Sequence, residues 1–414
     1  MRIKITSGQL ERAMARIGSG ISTRSLVESM SGIYLEASDT HVLTVRANNT
    51  AQDVRTWRDC NVVEPGTVVV HAGFKEWVYS VSGDIDIWKE GGRLHAQCGQ
   101  RQADFALYDP KTYPLEKPRP AEDQIDIADA LSIIQALNGV QFAMARSSER
   151  AGTQGIRFTP EVIVALDGRR GAFSKKSPFT SFDALLSSEA LSSLRDILAQ
   201  SDRVEIAVAG AWIWVRNGEL GEGAGVEAWL GTRNASFPTR AITTLVDLAA
   251  AKLPINITIA KDALRDVLGY AQTLSTQAKS LNDREYAALG ITEDGNVYIS
   301  MEVKGVGSMY DVLDEATITD QHGDYIHQAF EGWLVPEAFI QAMDRATGDE
   351  ITISYVHKGF IPEGHTQPIQ KTNTWFISCP DTAGQWGVMQ SPMFKMSAVE
   401  KATKAADKLR DNNE

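Results

Sequence analysis

Apolar residues recur along this chain at helical spacing in six places. Leu10, Ala13, Met14 and Ile17 fall at i, i+3, i+4 and i+7, which puts them on one face of a helix with 3.6 residues per turn. Such a face has to be buried. The same spacing returns as Ala130, Ile133, Ile134 and Leu137, and again as Leu264, Val267, Leu268 and Ala271, offset by roughly 120 and 134 residues. Between them lie three further stripes: Phe74, Trp77, Val78 and Val81; Leu191, Leu194 and Leu198; Phe339, Ala342, Met343 and Ala346. The pattern predicts three structural units with two amphipathic helices in each.

The segments after these helices alternate instead. The first helices are followed by SGIYLEASDTHVLTVRANN, QGIRFTPEVIVALDGRR and LGITEDGNVYISMEVKG, each with a Gly-Ile start, a turn pair and a β-rich return. The second helices are followed by GDIDIWKEGGRLHAQCG, DRVEIAVAGAWIWVRNG and DEITISYVHKG, in which DIDIW, VEIAV and EITISY alternate as half-buried strands do. The first two units close on ALYDPKTYP and TRNASFP. The predicted class is α+β, with two helices packed on antiparallel sheets in each of the units 1–117, 125–245 and 254–393, and a short extension at 394–414. Repetition of this kind lets each sheet edge find a neighbour.

Composition narrows the function classes. The 414 residues are 43% hydrophobic and 23% charged, and no run approaches the ~20 apolar residues of a membrane span. The start, MRIKITSGQLERAMARIG, lacks the apolar core of a signal peptide, so a cytoplasmic protein is expected. Cys60, Cys98 and Cys379 form no CxxC pair and read as reduced and structural. The formal net charge of −12 argues against a broad basic grip on nucleic acid, which leaves only a local basic surface.

Chemistry is sparse. His41, His71, His95, His322, His327, His357 and His365 make no HxH or HExxH pattern, so no metal is implied. GELGEGAG at 218–225 lies between two strands, whereas a phosphate-cradling loop should open a helix. Asp167-Gly168 is first a turn signal, and Ser187-Ser188 before Glu189 reads as a helix N-cap. No catalytic residue and no cofactor are predicted.

The ordered set of motifs, with FAMARSSERAGTQGIRF, VALDGRRGAF, ASFPTR and GVMQSP as the particular matches, resembles the bacterial β-type DNA sliding clamp over residues 1–393. The resemblance implies three tandem clamp domains in a head-to-tail homodimeric ring, helices lining the hole and sheets forming the outer wall. It implies a processivity factor, not an enzyme, that encloses duplex DNA without reading its sequence and tethers a polymerase and a clamp loader through short peptides. Enclosure removes the need for tight phosphate contacts, so an acidic total is compatible with it. The bases expected to face DNA are Arg12, Arg16, Lys75, Arg195, Lys261, Arg265 and Arg345 on helices, and Arg24, Arg146, Arg150, Lys279 and Arg284 on the loops after the first helices.

Partners of the family dock a peptide of roughly Gln-Leu-x-Leu-Phe in an apolar cleft. Carried over by position, the cleft would use Thr153, Leu166, Gly168, Arg169 and Arg170, then Pro238, Ile242 and Thr243 from a closing loop, and Val388, Met389, Pro392 and Met393 from the chain's end. Methionine suits a wall that repacks around several peptides. The sequence departs from the family in two places: its His-Arg-Leu is here Arg169-Arg170-Gly171, and its Met-Pro-Met is stretched to MQSPM. Ring closure needs open strand edges near RQADFAL and GNVYISMEV, where Arg101 could meet Glu302 of a second copy. The extension carries Ala402, Ala405, Ala406 and Leu409 at helical spacing beside Lys401, Lys404 and Lys408, a short helix that would fray, pack on the outer wall or cover the cleft. The divergent cleft and the tail lean toward a phage-encoded or accessory member. Two other readings stay open, a protein–protein scaffold that never closes a ring and an enzyme with an interdomain site.

Overall fold

The computed structural model describes residues 1–22, 27–145, 151–168, 170–175, 177, 179, 183–199, 201–218, 223–280, 286–325, 330–346, 348–369, 373–378 and 386–390. The chain packs as two compact units. The first holds residues 1–137, 155–161 and 176–236; the second holds 138–154, 162–175 and the described residues from 237 onward. Seven α-helices occur among the described residues: α1 Ser7–Ile17, α2 Gly73–Ser80, α3 Ala130–Val140, α4 Ser188–Leu198, α5 Thr239–Ala250, α6 Lys261–Ser280 and α7 Pro336–Met343. None is long and apolar enough to cross a membrane.

The six predicted helices are present, and their stripes are what they bury. Leu10, Ala13, Met14 and Ile17 of α1 are fully enclosed, as are Leu191, Leu194 and Leu198 of α4 and Phe339, Ala342 and Met343 of α7. Thr6 starts α1 by a capping box, its hydroxyl accepting from the Gln9 amide while the Gln9 side chain accepts from the Thr6 amide. Ser187 caps α4 by accepting from the Ala190 amide at 3.3 Å, as expected. The seventh helix, α5, corrects the sequence reading, which took Pro238, Ile242 and Thr243 as a closing loop. Leu245 and Leu248 lie three residues apart and are buried on one face, and that burial stabilises the helix.

In the first unit, thirteen strands form one antiparallel sheet. It runs from Asp126–Asp129 through Arg203–Ala209, Trp212–Asn217 and Ala224–Gly231 to Gln52–Asp59, Val42–Asn48 and Gly32–Ala37. It continues through Gly66–His71, Arg101–Tyr108, Arg93–Cys98, Asp84–Glu90 and Arg2–Thr6, and ends on Asn61–Glu64. Strand Gln52–Asp59 pairs along its length with Ala224–Gly231, so the sheet runs unbroken from residues of the first predicted repeat into residues of the second. The glycine-rich 218–225 segment joins two paired antiparallel strands, which agrees with a hairpin; its residues 219–222 lie outside the described set.

The second unit has two sheets. In the larger, Ile163–Leu166, Arg170–Ser174, Trp386–Gln390, Thr374–Ser378, Glu350–Val356, Ile255–Ala260 and Thr317–Thr319 follow one another. The smaller has four strands in the order Gly307–Leu313, Val297–Val303, Ala287–Ile291 and Phe330–Leu334. The VYISMEV strand expected to be an open edge is therefore internal. Gly305, at φ 76°, allows a tight turn that lays Gly307–Leu313 outside it, and this added strand is the edge.

Tyr298 in that sheet gives a pH test. Its hydroxyl donates to Glu331 Oε2 at 2.9 Å and its ring stacks on Tyr310. Burial first, then the bond to Glu331 and its charge, push the phenol up to about 12. A pKa raised in the folded state favours the protonated fold, so the contribution is complete below pH ~10 and lost as pH rises through ~12. Phenolate absorbance should show Tyr298 among the tyrosines that ionise late, and Tyr298→Phe should lose one tyrosine's amplitude at high pH; superimposable curves for the two proteins would refute the assignment.

Candidate functional site

Among the described residues, Leu166, Gly168, Arg170, Val388 and Met389 of the expected peptide cleft come together within the second unit, beside the helix that holds Ile242 and Thr243. Asp167-Gly168 closes a hairpin in which Ile163–Leu166 pairs with Arg170–Ser174, and Asp167 N donates to Arg170 O at 3.1 Å. Gly168 has φ 90°, a conformation that glycine adopts without strain. Strand Trp386–Gln390 lies against the second arm, pairing Met389 with Gly171 and Val388 with Ala172. Helix α5 packs over both strands. Leu166 is buried, Pro238 and Ile242 are half-exposed, and Thr243 is exposed, so an apolar floor carries a partly open rim. Thr153 is enclosed beside this hairpin, its carbonyl accepting from Ala145 N. Arg169, Pro392 and Met393 lie outside the described residues.

Arg170 is fixed by a chain of polar contacts. Its Nε donates to Asp167 Oδ2 at 2.7 Å, its Nη1 donates to Gln341 Oε1 at 2.6 Å, and its guanidinium lies 5.9 Å from the Phe142 ring centroid. Gln341 in turn donates to Glu337, which pairs with Lys279 at 3.2 Å. The turn is thus held to α7 and, through it, to the end of α6. A planar, five-donor guanidinium can make both contacts at once, where an ammonium is a point charge.

The basic residues divide by surroundings. In the first unit, Arg12 is exposed on α1, with Arg16 one turn later and half-buried; Lys75 on α2 lies 5.7 Å from the Tyr79 ring, and Arg195 is on α4. Lys75 Nζ also stands 3.1 Å from where a side chain on Gly18 would begin, at the C-terminal end of α1, a position that favours a cation. In the second unit, Arg265 pairs with Asp344, and Lys279 with Glu337, so neither offers an unneutralised charge. Lys261 Nζ donates to Ala346 O, while Arg345 is exposed beyond α7. Arg24, Arg146, Arg150 and Arg284 fall outside the described residues.

Sequence reading missed Arg58. It sits on strand Gln52–Asp59, against which α1 packs, and it is 4% exposed. Its one signal in the sequence is an arginine near the end of the strand QDVRTWRD.

Two strand edges complete the picture. Strand Arg101–Tyr108 pairs with Arg93–Cys98 over residues 101–106 and with Gly66–His71 only at Leu107 and Tyr108, which leaves the other side of 101–106 open among the described residues. Arg101 itself donates to Ser80 O, at the end of α2. In the second unit the open edge is Gly307–Leu313, with Tyr310 61% and Val312 40% exposed. Glu302 is exposed one strand inward, opposite Ser308.

No family model matches this sequence, and no curated protein matches it. Solved structures do match its backbone. The DNA polymerase III β subunit of Thermotoga maritima aligns over 95% of this chain and 99% of its own with a TM-score of 0.75 at 14% identity. The DNA polymerase III β chain of Streptococcus pneumoniae aligns over 95% and 100% with a TM-score of 0.78 at 16% identity. This chain has the fold of the bacterial sliding clamps. The DNA polymerase sliding clamp of Bacillus subtilis agrees, with a TM-score of 0.76 at 15% identity over 95% and 99% of the two chains. At such identities the likeness is one of backbone, and it holds although single positions such as Gly171 depart from the family pattern.

Proposed function

We propose that this protein is a DNA sliding clamp, a cytoplasmic processivity factor that encloses duplex DNA and tethers a polymerase and a clamp loader to it. The observation that carries the reading is the clamp fold along 95% of the chain. The reading divides the chain into clamp domains at 1–117, 125–245 and 254–393, joins two copies head to tail into a ring, and assigns no catalysis. The open edges at 101–106 and Gly307–Leu313 support closure by strand pairing between copies, with Arg101 and Glu302 near the seam. Arg12 on α1 and Lys75 on α2, which make no ion pair among the described residues, support loose phosphate contact within the ring. The hairpin at Asp167-Gly168, its neighbour Trp386–Gln390 and α5 support a cleft for the partner peptide.

Topology is the test. After loading, the protein should stay on closed circular DNA and slide off once the circle is cut. Equal retention on both forms would refute enclosure and favour a scaffold that does not encircle DNA.

A further inference from the structure

The sheet of the first unit contains three buried arginines that meet very different surroundings. Arg46 is matched by Asp53, with Nε and Nη2 donating to its two oxygens at 2.8 and 2.6 Å. Arg55 is matched by Glu227 and by Glu116. Arg58, three residues further along the same strand and 4% exposed, has no acidic partner among the described residues. Its Nη1 donates to the neighbouring Trp57 carbonyl at 3.1 Å, and its buried Nε has no hydrogen-bond partner there. Helix α1 packs against this strand, and its Arg16 and Arg12 add positive charge to the surroundings of Arg58.

A buried guanidinium with no acidic partner among the described residues, under a helix that carries two more arginines, is an unfavourable arrangement unless an anion completes it. Arginine does not escape by losing its proton at neutral pH, and a buried cation is ordinarily paired. The strain is visible in ionisation: burial first, then Arg16 and Arg12, push Arg58 down to about 10. Arg16 is likewise lowered, by burial and then by Arg12. Guanidinium forks match phosphate oxygens in pairs, and an exposed, a half-buried and a buried fork in sequence make a graded funnel for one such group.

We propose that Arg12, Arg16 and Arg58 form a built pocket for a single phosphate group, supplied by the DNA backbone. The proposal rests on the clamp reading for the source of the phosphate, but not for the pocket. It adds to loose electrostatic contact one fixed point of grip, which would hold the DNA in a preferred position while the ring is at rest.

The test uses the full chain and two probes, inorganic phosphate and a short linear duplex that cannot be retained by enclosure. The unfolding midpoint is followed in phosphate and in chloride at matched ionic strength, for the wild type, Arg58→Gln, Arg16→Gln and a distant exposed control, Lys89→Gln. The wild type and the control should gain a saturable increment specific to phosphate; Arg58→Gln and Arg16→Gln should lose it. Arg16 is only half-buried, so its variant keeps the test decisive if Arg58→Gln does not fold. On the duplex, either variant should weaken binding on the order of tenfold at low salt and reduce the slope of log affinity against log salt by about one. Equal effects of phosphate and chloride on the wild type would overturn the pocket. A phosphate increment that depends on Arg58, with duplex affinity unchanged, would overturn DNA as its source. Neither result bears on retention on circles, so this proposal and the clamp reading fail separately.

Discussion

Glu227→Ala should lower the stability of the first unit by about 3–5 kcal/mol, the cost of leaving a buried charge without its partner. The Glu227 carboxylate is fully enclosed and accepts from Arg55 Nε at 2.5 Å, from Arg119 Nε and Nη2 at 2.7 and 3.0 Å, and from Trp214 Nε1 at 2.7 Å. Without it Arg119, 37% exposed, can turn to water, but Arg55, at 6%, cannot. Glu116→Ala is the comparison, because Glu116 also pairs with Arg55 yet is 56% exposed, and its loss should cost about 1 kcal/mol or less. Urea unfolding of both variants, read at the transition of this unit because several domains need not unfold together, checks the prediction. Equal effects would mean that Arg55 does not depend on Glu227.

The network matters because of what it fastens. Residues 114–118 connect the first predicted repeat to the second, and they lie on the sheet under several bonds. Arg46 donates to the carbonyls of Pro114 and Leu115 at 2.8 and 3.0 Å, and Trp229 Nε1 donates to Pro118 O at 3.2 Å. Lys117 pairs with Asp53 while its ammonium lies 4.1 Å from the Trp212 ring centroid. A Pro-rich connector held this way is part of the sheet's face and not a free linker.

Much of this fold was legible in the sequence, because burial writes a period into it. Leu10 to Ile17 and Leu191 to Leu198 bury at the spacing that named them, and Asp167-Gly168 turns where its chemistry said it would. The buried ion pairs left no such trace. Asp53 and Glu227 stand 7 and 172 residues from the arginines they match, and nothing local marks them as enclosed. Arg58 escaped for the same reason: its neighbours Arg12 and Arg16 reach it only after α1 folds onto the strand. The open strand edge was misplaced by one strand, since a turn at Gly305 is weaker text than the apolar alternation of VYISMEV. Of the cleft, the hairpin could be read, but α5 could not be told from a loop because only Leu245 and Leu248 are buried on it.

Gly171→Leu should weaken binding of a Gln-Leu-x-Leu-Phe peptide by at least about tenfold and destabilise the second unit by about 1–3 kcal/mol, the usual cost of overpacking. The substitution restores the leucine that the resembled family carries there, so on sequence grounds it would look harmless. The geometry argues otherwise. A Cβ at Gly171 would stand 2.4 Å from Leu166 Cδ2 and 3.2 Å from Leu245 Cδ1. Leu166 is its direct cross-strand partner, and Leu245 comes from α5, so this chain has filled the space with a helix residue in place of a strand residue. A leucine on the strand must therefore push α5 away from the hairpin that forms the proposed cleft floor. Leu245→Ala in the same protein should recover part of both losses, because the two side chains compete for one volume and their effects cannot be additive. Fluorescence titration of the peptide and urea unfolding of the four proteins in this cycle decide the matter. Additive losses would show that Leu245 and position 171 do not share the space, and unchanged peptide affinity in Gly171→Leu would move the partner site away from this hairpin.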